Sequence, residues 1–261
     1  MLFRSTAGEN AFLRAHAPGA FKATIPGPVT LPRSAFREGI TDRVYPTWDA
    51  MFADYTAAVA TEIGKMVDDD GVTYLQIDAP HCTRFVVTGR NKEVTSPAAT
   101  LERDFQAAIA AENICLRAAK RPGVTRAVHI CLGTFILGPQ GPLGGAGEYE
   151  PSRVARLIDQ LDADVFLIEY SERTGRLEAF RDLPKNKIIS LGIINTRDPR
   201  VETPDEIVRR VDAAAKYIPM ENLSICPNCG FSGAAAETWV TEDIEKRKLA
   251  VLVETADRLW R

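Results

Sequence analysis

The sequence predicts an α/β protein of the TIM-type (β/α)8-barrel class, with about six βα units present. Short runs of β-forming residues alternate with longer segments of helical periodicity, which indicates a parallel sheet with helical crossovers. Polar residues suited to chemistry follow several strand-like runs, and the active sites of such barrels lie at the carboxyl ends of their strands. With 261 residues, 45% of them hydrophobic, the chain can form one large core, so we interpret residues 1–261 as a single, incomplete barrel domain.

The predicted elements follow one another in strand–helix order. The helix after the first strand begins near Thr47, because Phe52, Val59 and Ile63 recur at helical spacing. A capping box predicts a later helix start, with Thr203 as the N-cap and a glutamate three residues on. The predicted strands cover residues 21–25, 72–77, 127–133, 164–168, 187–193 and 223–225. Further helices are predicted over residues 101–116, near 152, after 169 and over 241–260.

An incomplete barrel leaves an open side. A closed barrel of this class needs eight units, and one that lacks two of them exposes two strand edges and part of its apolar interior. Three explanations remain open: residues 1–20 cover the gap, a partner chain or self-association covers it, or the chain is a fragment.

Composition narrows the class of ligand and the cellular compartment. With 32 basic and 35 acidic residues and a net charge of −3, the chain has no basic surplus, so we expect neither nucleic acid nor an anionic membrane as partner. The sequence has no apolar run that could span a bilayer and no leader at its start, so we expect a cytoplasmic protein. Five cysteines, an odd and scattered set, do not resemble a disulfide scaffold. Reduced thiols are therefore available to a metal ion.

Four side chains are candidate ligands of a metal ion. His129 and Cys131 stand two residues apart in a predicted strand, and the period of a strand points both to the same side. Glu169 ends the next apolar run, and Cys229 follows the last predicted strand. One imidazole, one carboxylate and two thiolates suit Zn²⁺, which takes tetrahedral nitrogen, oxygen and sulfur ligands.

Each candidate also has an ordinary structural explanation. His129 and Cys131 can be plain core residues, and Glu169 can form a salt bridge with a nearby arginine such as Arg173. The pair Cys226 and Cys229 also resembles a zinc knuckle or a redox motif, although the chain has no second such pair. We expect Cys226 to lie within the strand and Cys229 to lie at the rim.

The ligand set favours chemistry on sulfur. Zn²⁺ held by two thiolates is a poor generator of hydroxide but binds an incoming thiol and keeps it deprotonated, and the thiolate is the nucleophile. Asp78, at the end of the second strand, suits the ammonium group of an amino-acid thiol; a helix cap or a salt bridge is the alternative. The pattern therefore favours alkyl transfer to a thiol over hydrolysis.

Five short segments resemble the C-terminal catalytic barrel of cobalamin-independent methionine synthase. They are residues 25–30 (IPGPVT), 75–80 (LQIDAP), 129–131 (HIC), 168–169 (IE) and 227–230 (PNCG). The resemblance implies that His129, Cys131, Glu169 and Cys229 are the zinc ligands. It also implies that Asp78 holds the homocysteine amino group. The resemblance runs from about residue 20 to the C-terminus.

The chain departs from that family's pattern in several places. Two further strands at the start of the family's barrel have no equivalent here. Ala79 stands where the folate-using enzymes have glutamate, and residues 196–199 (TRDP) stand where they place a catalytic histidine ahead of Ser-Pro. The loop at 31–36 has no clear equivalent of the aromatic residue that stacks on the pterin. These departures concern the folate donor more than the zinc site.

The sequence thus predicts a zinc-dependent methyltransferase of methionine biosynthesis, acting on a small-molecule thiol, homocysteine. The resemblance alone implies a 5-methyltetrahydrofolate-type methyl donor. One alternative is alkyl transfer to another thiol such as coenzyme M. The other is a non-catalytic barrel fragment or subunit, suggested by the missing strands.

Overall fold

The computed structural model describes residues 6–30, 35–88, 98–130, 148–170, 177–231 and 240–261. These residues divide into two compact units. The first unit comprises residues 1–82, 97–129 and 160–165, and the second comprises residues 83–96, 130–159 and 166–261. The prediction of one domain over residues 1–261 stays a prediction.

The first unit contains three parallel strands, which are β1 (Ala23–Pro26), β2 (Tyr74–Asp78) and β4 (Thr125–Ile130). The last residue of β4 belongs to the second unit. In the sheet, β2 lies between β1 and β4, and the register pairs Pro26 with Asp78 and Asp78 with His129. The unit also contains the helices α1 (Ala7–His16), α2 (Trp48–Asp68) and α4 (Ala98–Ala118), of which α2 and α4 pack against each other.

The second unit contains the strands β6 (Val165–Glu169), β7 (Ile188–Ile194) and β8 (Leu223–Pro227), parallel and in that order, except that Val165 belongs to the first unit. The pairing of β7 with β8 shifts register between Gly192 and Ile194. A two-stranded antiparallel ladder of β3 (Val87–Thr88) with β5 (Glu148–Tyr149) also belongs to this unit. Its helices are α3 (Thr83–Val86), α5 (Pro151–Gln160, whose last residue belongs to the first unit), α6 (Pro204–Ala214) and α7 (Glu242–Trp260).

Local sequence signals explain where the helices begin. The hydroxyl of Thr47 accepts from the N–H of Ala50, so α2 has the N-cap that its sequence indicates. The capping box of α6 is present in both directions between Thr203 and Glu206. Thr241 caps α7 through the N–H of Ile244. These caps satisfy N–H groups that have no partner within a helix.

The predicted strands match the observed ones to within two residues at their starts, and the predicted fold class is confirmed. β2, β4, β6 and β7 are mostly buried, as parallel strands covered by helices require, whereas β1 alternates buried and exposed residues and β8 is largely half-buried. Leu75 and Ile77 of β2 and Phe166 of β6 are fully buried, as is Leu191 of β7. No helix in the described ranges is both long and apolar enough to cross a membrane.

Candidate functional site

Glu169 and Cys229 lie together in the second unit. Glu169 is the last residue of β6 and is 3% exposed, whereas Cys229 lies two residues beyond the end of β8. The Sγ of Cys229 lies 3.8 Å from Oε2 of Glu169, within the range of a thiol that donates to a carboxylate. These residues are 60 positions apart in the chain, so the parallel strands bring them to one edge of the sheet.

Neighbouring main-chain contacts fix the position of this pair. The hydroxyl of Tyr149 donates to the carbonyl oxygen of Glu169 at 2.9 Å. The N–H of Asn228 donates to the carbonyl oxygen of Ile194 at 3.0 Å, and its side-chain oxygen accepts from the N–H of Tyr170 at 3.3 Å. The residues on either side of the Glu169–Cys229 contact are therefore tied to strand ends.

The two cysteines of the last strand have different surroundings. Cys226 lies within β8, and its Sγ is 3.6 Å from the carbonyl oxygen of Ser190 on β7. Cys229 lies past the strand and contacts the carboxylate of Glu169 instead. The thiol of Cys229 therefore contacts a second side chain that can bind a metal ion.

Asp78 and His129 lie side by side in the first unit. They are partners in the register of β2 and β4, and the carbonyl oxygen of His129 accepts from the N–H of Ala79 at 3.0 Å. The Nε2 of Gln76 donates to Oδ1 of Asp78 at 2.6 Å. Lys22 in turn donates to Oε1 of Gln76 at 2.6 Å. This chain of hydrogen bonds orients the Asp78 carboxylate.

Three of the four predicted metal ligands lie within the described residues, and Cys131 does not. Glu169 and Cys229 form one contact, and His129 lies beside Asp78 in the other unit. Cys131 lies outside the described residues, as does Arg173, the alternative partner of Glu169. Within the described ranges, no group of three or more His, Cys, Asp and Glu side chains is placed to hold a metal ion. The four-residue ligand set stays a prediction.

The loop after β7 contains a buried cation. Arg197 is 6% exposed, and its N–H donates to the side-chain oxygen of Asn195 at 2.9 Å. The N–H of Asn195 donates to Oε1 of Glu202, and Lys248 donates to Oε2 of the same carboxylate. Arg197 lies in residues 196–199, one of the segments in which the chain departs from the family that it resembles.

Sequence reasoning missed several residues that support the site. Gln76 and Asn228 stand inside segments that the resemblance had already singled out, so their presence was visible but their hydrogen bonds were not. Tyr149 lies in a strand of only two residues, which is too short for a periodic pattern. Its bond to Glu169 depends on tertiary contacts alone.

Comparison with known proteins identifies the family. The family model for the catalytic domain of cobalamin-independent synthase matches residues 13–256 of the chain. The chain belongs to the cobalamin-independent methionine synthase family. The resemblance carried by the five sequence segments is thereby confirmed.

Relatives within this family are distant and longer. The uncharacterized protein YxjH of Bacillus subtilis is 29% identical over 258 residues, which are 97% of this chain and 66% of that protein. The methionine synthase of Pyrococcus abyssi is 26% identical over 209 residues, which are 80% of this chain and 50% of that enzyme. The chain therefore spans between half and two thirds of the length of these curated relatives.

A solved structure of the family has the same fold. A B12-independent methionine synthase from Shewanella sp. W3-18-1 superposes with a TM-score of 0.73 at 19% sequence identity. The match covers 98% of this chain and 67% of the Shewanella chain. At this identity the likeness supports the barrel-type α/β fold of this family member and nothing finer.

Proposed function

We propose that this chain is a zinc-dependent methyltransferase that transfers a methyl group to the thiol of homocysteine to give methionine. The observation that carries the proposal is the contact between the Cys229 thiol and the buried Glu169 carboxylate, in a chain of the methionine synthase family. Two relatives support the reaction class by name: the methionine synthase of Pyrococcus abyssi and the 5-methyltetrahydropteroyltriglutamate–homocysteine methyltransferase of Bacillus velezensis. The family relationship alone implies a 5-methyltetrahydrofolate-type donor, and the departures at Ala79 and residues 196–199 concern that donor.

The residues present fit a zinc ion. Ligand atoms about 2.3 Å (sulfur) and about 2.1 Å (oxygen) from zinc, at a tetrahedral angle, lie about 3.6 Å apart. The separation of Sγ of Cys229 from Oε2 of Glu169 is 3.8 Å. A metal cation would also offset part of the cost of burying the Glu169 carboxylate. We propose His129 and Cys131 as the remaining ligands.

The chain's own residues would bind and orient the substrate. When bound, zinc supplies the positive charge that keeps a substrate thiol deprotonated at neutral pH. Asp78 provides a carboxylate for the ammonium group of an amino-acid thiol, and its hydrogen bond from Gln76 holds that carboxylate in one orientation. Fixing both ends of the substrate places the sulfur for in-line attack on a donor methyl group.

Arg197 favours a second candidate thiol. A guanidinium 6% exposed in the loop after β7 suits a strongly anionic group, such as the sulfonate of coenzyme M. In that case the chain alkylates coenzyme M, and Asp78 binds another group. Titrating the zinc-loaded protein with each thiol, while following sulfur ligation of the metal by X-ray absorption, separates the two candidates. Zinc without any thiol binding would instead favour the non-catalytic fragment.

The first experiment is metal analysis of two serine variants. We expect Cys229→Ser to lose zinc and Cys226→Ser to retain it, because the thiol of Cys229 contacts the Glu169 carboxylate whereas that of Cys226 lies against the carbonyl oxygen of Ser190. Replacing an outer partner of a ligand costs about 10–100-fold in metal affinity, so losing a ligand itself should cost about 100-fold or more. Competition with a zinc chelator measures both affinities. Equal zinc loss in the two variants would mean that the wrong cysteine was chosen.

Two sequence-based predictions concern location and assembly: a cytoplasmic protein, and a partner chain or self-association over the open side of the barrel. Size-exclusion chromatography with light scattering on the purified chain tests self-association.

A further inference from the structure

Glu112 is a fully buried carboxyl group that the proposed chemistry does not use. It lies on α4 with 0% exposure, and neither of its oxygens meets hydrogen-bond geometry with a described residue. Burial raises its pKa from 4.5 to about 8, and only the nearby main-chain N–H of Val29 acts in the opposite direction. No cation in the described ranges contributes to this pKa.

The carboxyl group packs against the turn that follows β1. A Cβ added at Gly27 would lie 2.7 Å from Oε1 of Glu112 and 3.1 Å from the carbonyl oxygen of Asp78. Glycine is therefore the residue that lets the turn approach both groups. The turn therefore lies between the Glu112 carboxyl group and the main chain of Asp78 and contacts both.

The turn is bonded to Asp78 at both of its ends. The N–H of Gly27 donates to the carbonyl oxygen of Asp78 at 2.8 Å, and the hydroxyl of Thr30 donates to the same oxygen at 3.0 Å. A further bond from the N–H of Thr30 to the carbonyl oxygen of Gly27, at 3.0 Å, closes the turn. A displacement of the turn would therefore move the main chain that carries the Asp78 carboxylate.

Three titratable side chains of the described residues interact with Glu112, and burial favours the neutral form of each. Burial raises the pKa of Cys82 well above its usual value, and it raises the pKa of Cys115 to about 12. Burial likewise raises the pKa of Tyr55 on α2, and the charge of Glu112 contributes to all three increases. These neighbours offer no positive charge that could compensate an ionised Glu112.

We propose that Glu112 is a positioning residue for Asp78: its buried carboxyl group packs against the Gly27–Thr30 turn and thereby supports the end of β2. The part of this inference that concerns substrate rests on the proposed role of Asp78. Ionising the group would place a charge in an apolar site, and the chain could relieve that cost only by moving the carboxylate or admitting water. Either response would displace the turn.

Ionisation of Glu112 also makes the stability of the folded chain depend on pH. The folded-state pKa, about 8, lies above the unfolded value of 4.5. Between these two pH values the folded chain binds one more proton than the unfolded chain, so stability falls as pH rises through this window. Above pH 8 both states are ionised and this contribution stops changing.

The first test compares the thermal stability of wild type and Glu112→Gln from pH 5 to pH 9. Glutamine has the shape of the neutral acid and does not ionise. The melting temperature of Glu112→Gln should therefore rise relative to that of wild type as pH increases. We expect a gain of roughly 3 °C or more at pH 8. Glu62→Gln is the matched control, because Glu62 is a buried glutamate on α2 that accepts from the N–H and hydroxyl of Thr6. A Glu112→Gln curve parallel to that of wild type would overturn the proposal.

The second test follows the turn itself by hydrogen exchange. In Glu112→Ala the support is lost, and we expect exchange of the Gly27 N–H, which is bonded to Asp78, to rise at least about tenfold. Glu112→Gln should retain slow exchange, and Glu62→Ala should not accelerate Gly27 selectively. Unchanged exchange in Glu112→Ala would overturn the positioning role. Both measurements are independent of activity, so they still decide on Glu112 if the chain binds no thiol and the proposed function fails.

A kinetic measurement then connects Glu112 to the substrate. If Asp78 binds the ammonium group of the thiol, Glu112→Ala should raise the KM for homocysteine about tenfold or more with a smaller change in kcat, and Glu112→Gln should restore the KM. A decrease in kcat alone, without a change in KM, would contradict the link to Asp78.

Discussion

The two units bury a glutamate in opposite ways. In the first unit, Glu112 is 0% exposed and has a pKa of about 8, so it is held as a neutral acid. In the second unit, Glu202 is 3% exposed and accepts from the N–H of Asn195 at 2.8 Å and from Lys248 at 2.7 Å. One carboxyl group avoids the cost of a buried charge by keeping its proton, and the other by pairing with a cation.

The difference has consequences for how each unit responds to change. A neutral acid tolerates replacement by an uncharged residue of the same shape, because no charge is left without a partner. A buried ion pair does not tolerate the loss of one member, because the other remains as an uncompensated charge. Both glutamates nevertheless hold a segment that follows a strand, since Glu112 supports the turn after β1 and Glu202 binds the loop after β7.

The largest predicted effect comes from breaking the pair in the second unit. Lys248→Met should lower the free energy of unfolding by about 3–5 kcal/mol, because it leaves the Glu202 carboxylate buried without its cation. Lys248 also donates to the carbonyl oxygen of Arg200, so this main-chain acceptor loses a partner as well. Guanidinium unfolding at pH 7 measures the loss.

A double variant separates the lost charge from the lost packing. Lys248→Met with Glu202→Gln should recover most of the stability, because both charges are then absent and the amide can still donate or accept. If Lys248→Met alone costs less than about 1 kcal/mol, the contrast between paired and unpaired burial is wrong.

A smaller effect is expected from adding one methyl group at matched glycines of the two units. A Cβ at Gly192 would lie 2.7 Å from Oδ1 and 2.9 Å from Cα of Asn228, whereas a Cβ at Gly27 meets the side chain of Glu112 at 2.7 Å. We expect each Gly→Ala change to cost about 1–3 kcal/mol, with Gly192→Ala the more costly because the main chain of Asn228 must move. Urea unfolding of both variants measures this order.

Two further measurements, of stability and of zinc affinity, test which neighbours the added methyl groups displace. In a Glu112→Ala background, Gly27→Ala should cost less, because the closest contact has been removed. Gly192→Ala should also weaken zinc binding, since Asn228 precedes the proposed ligand Cys229, whereas Gly27→Ala should leave the zinc affinity unchanged. Equal zinc affinities in the two glycine variants would show that displacing Asn228 does not affect the metal site.

The sequence was most informative where the physics is local. The capping box at Thr203 and Glu206 involves neighbouring residues, so it was predicted and is present. The strand β6 could be predicted because its five residues form one continuous apolar run that ends in a carboxylate. By contrast, β3 and β5 have two residues each, and their pairing was missed.

The site was predicted less completely, because it depends on contacts between distant segments. Glu169 and Cys229 are separated by 60 residues, and no spacing rule connects them; family resemblance did. Glu112 left a signal that was not used: it lies four residues after Ala108 and four before Leu116, on the buried face of α4. A carboxyl group at such a position indicates either a buried pair or a neutral acid, but only tertiary structure distinguishes these two states.

The smallest predicted effect sharpens the comparison on a single helix. Lys246 and Lys248 both lie on α7 and both pair with a glutamate, but the Lys246–Glu242 pair is exposed, with side chains 71% and 81% accessible. Lys246→Met should change the free energy of unfolding by no more than about 0.5 kcal/mol, because water already solvates the glutamate that remains. Guanidinium unfolding beside Lys248→Met measures the difference. If the two variants lose equal stability, a general effect of removing lysine from α7, rather than burial of the partner charge, explains both results.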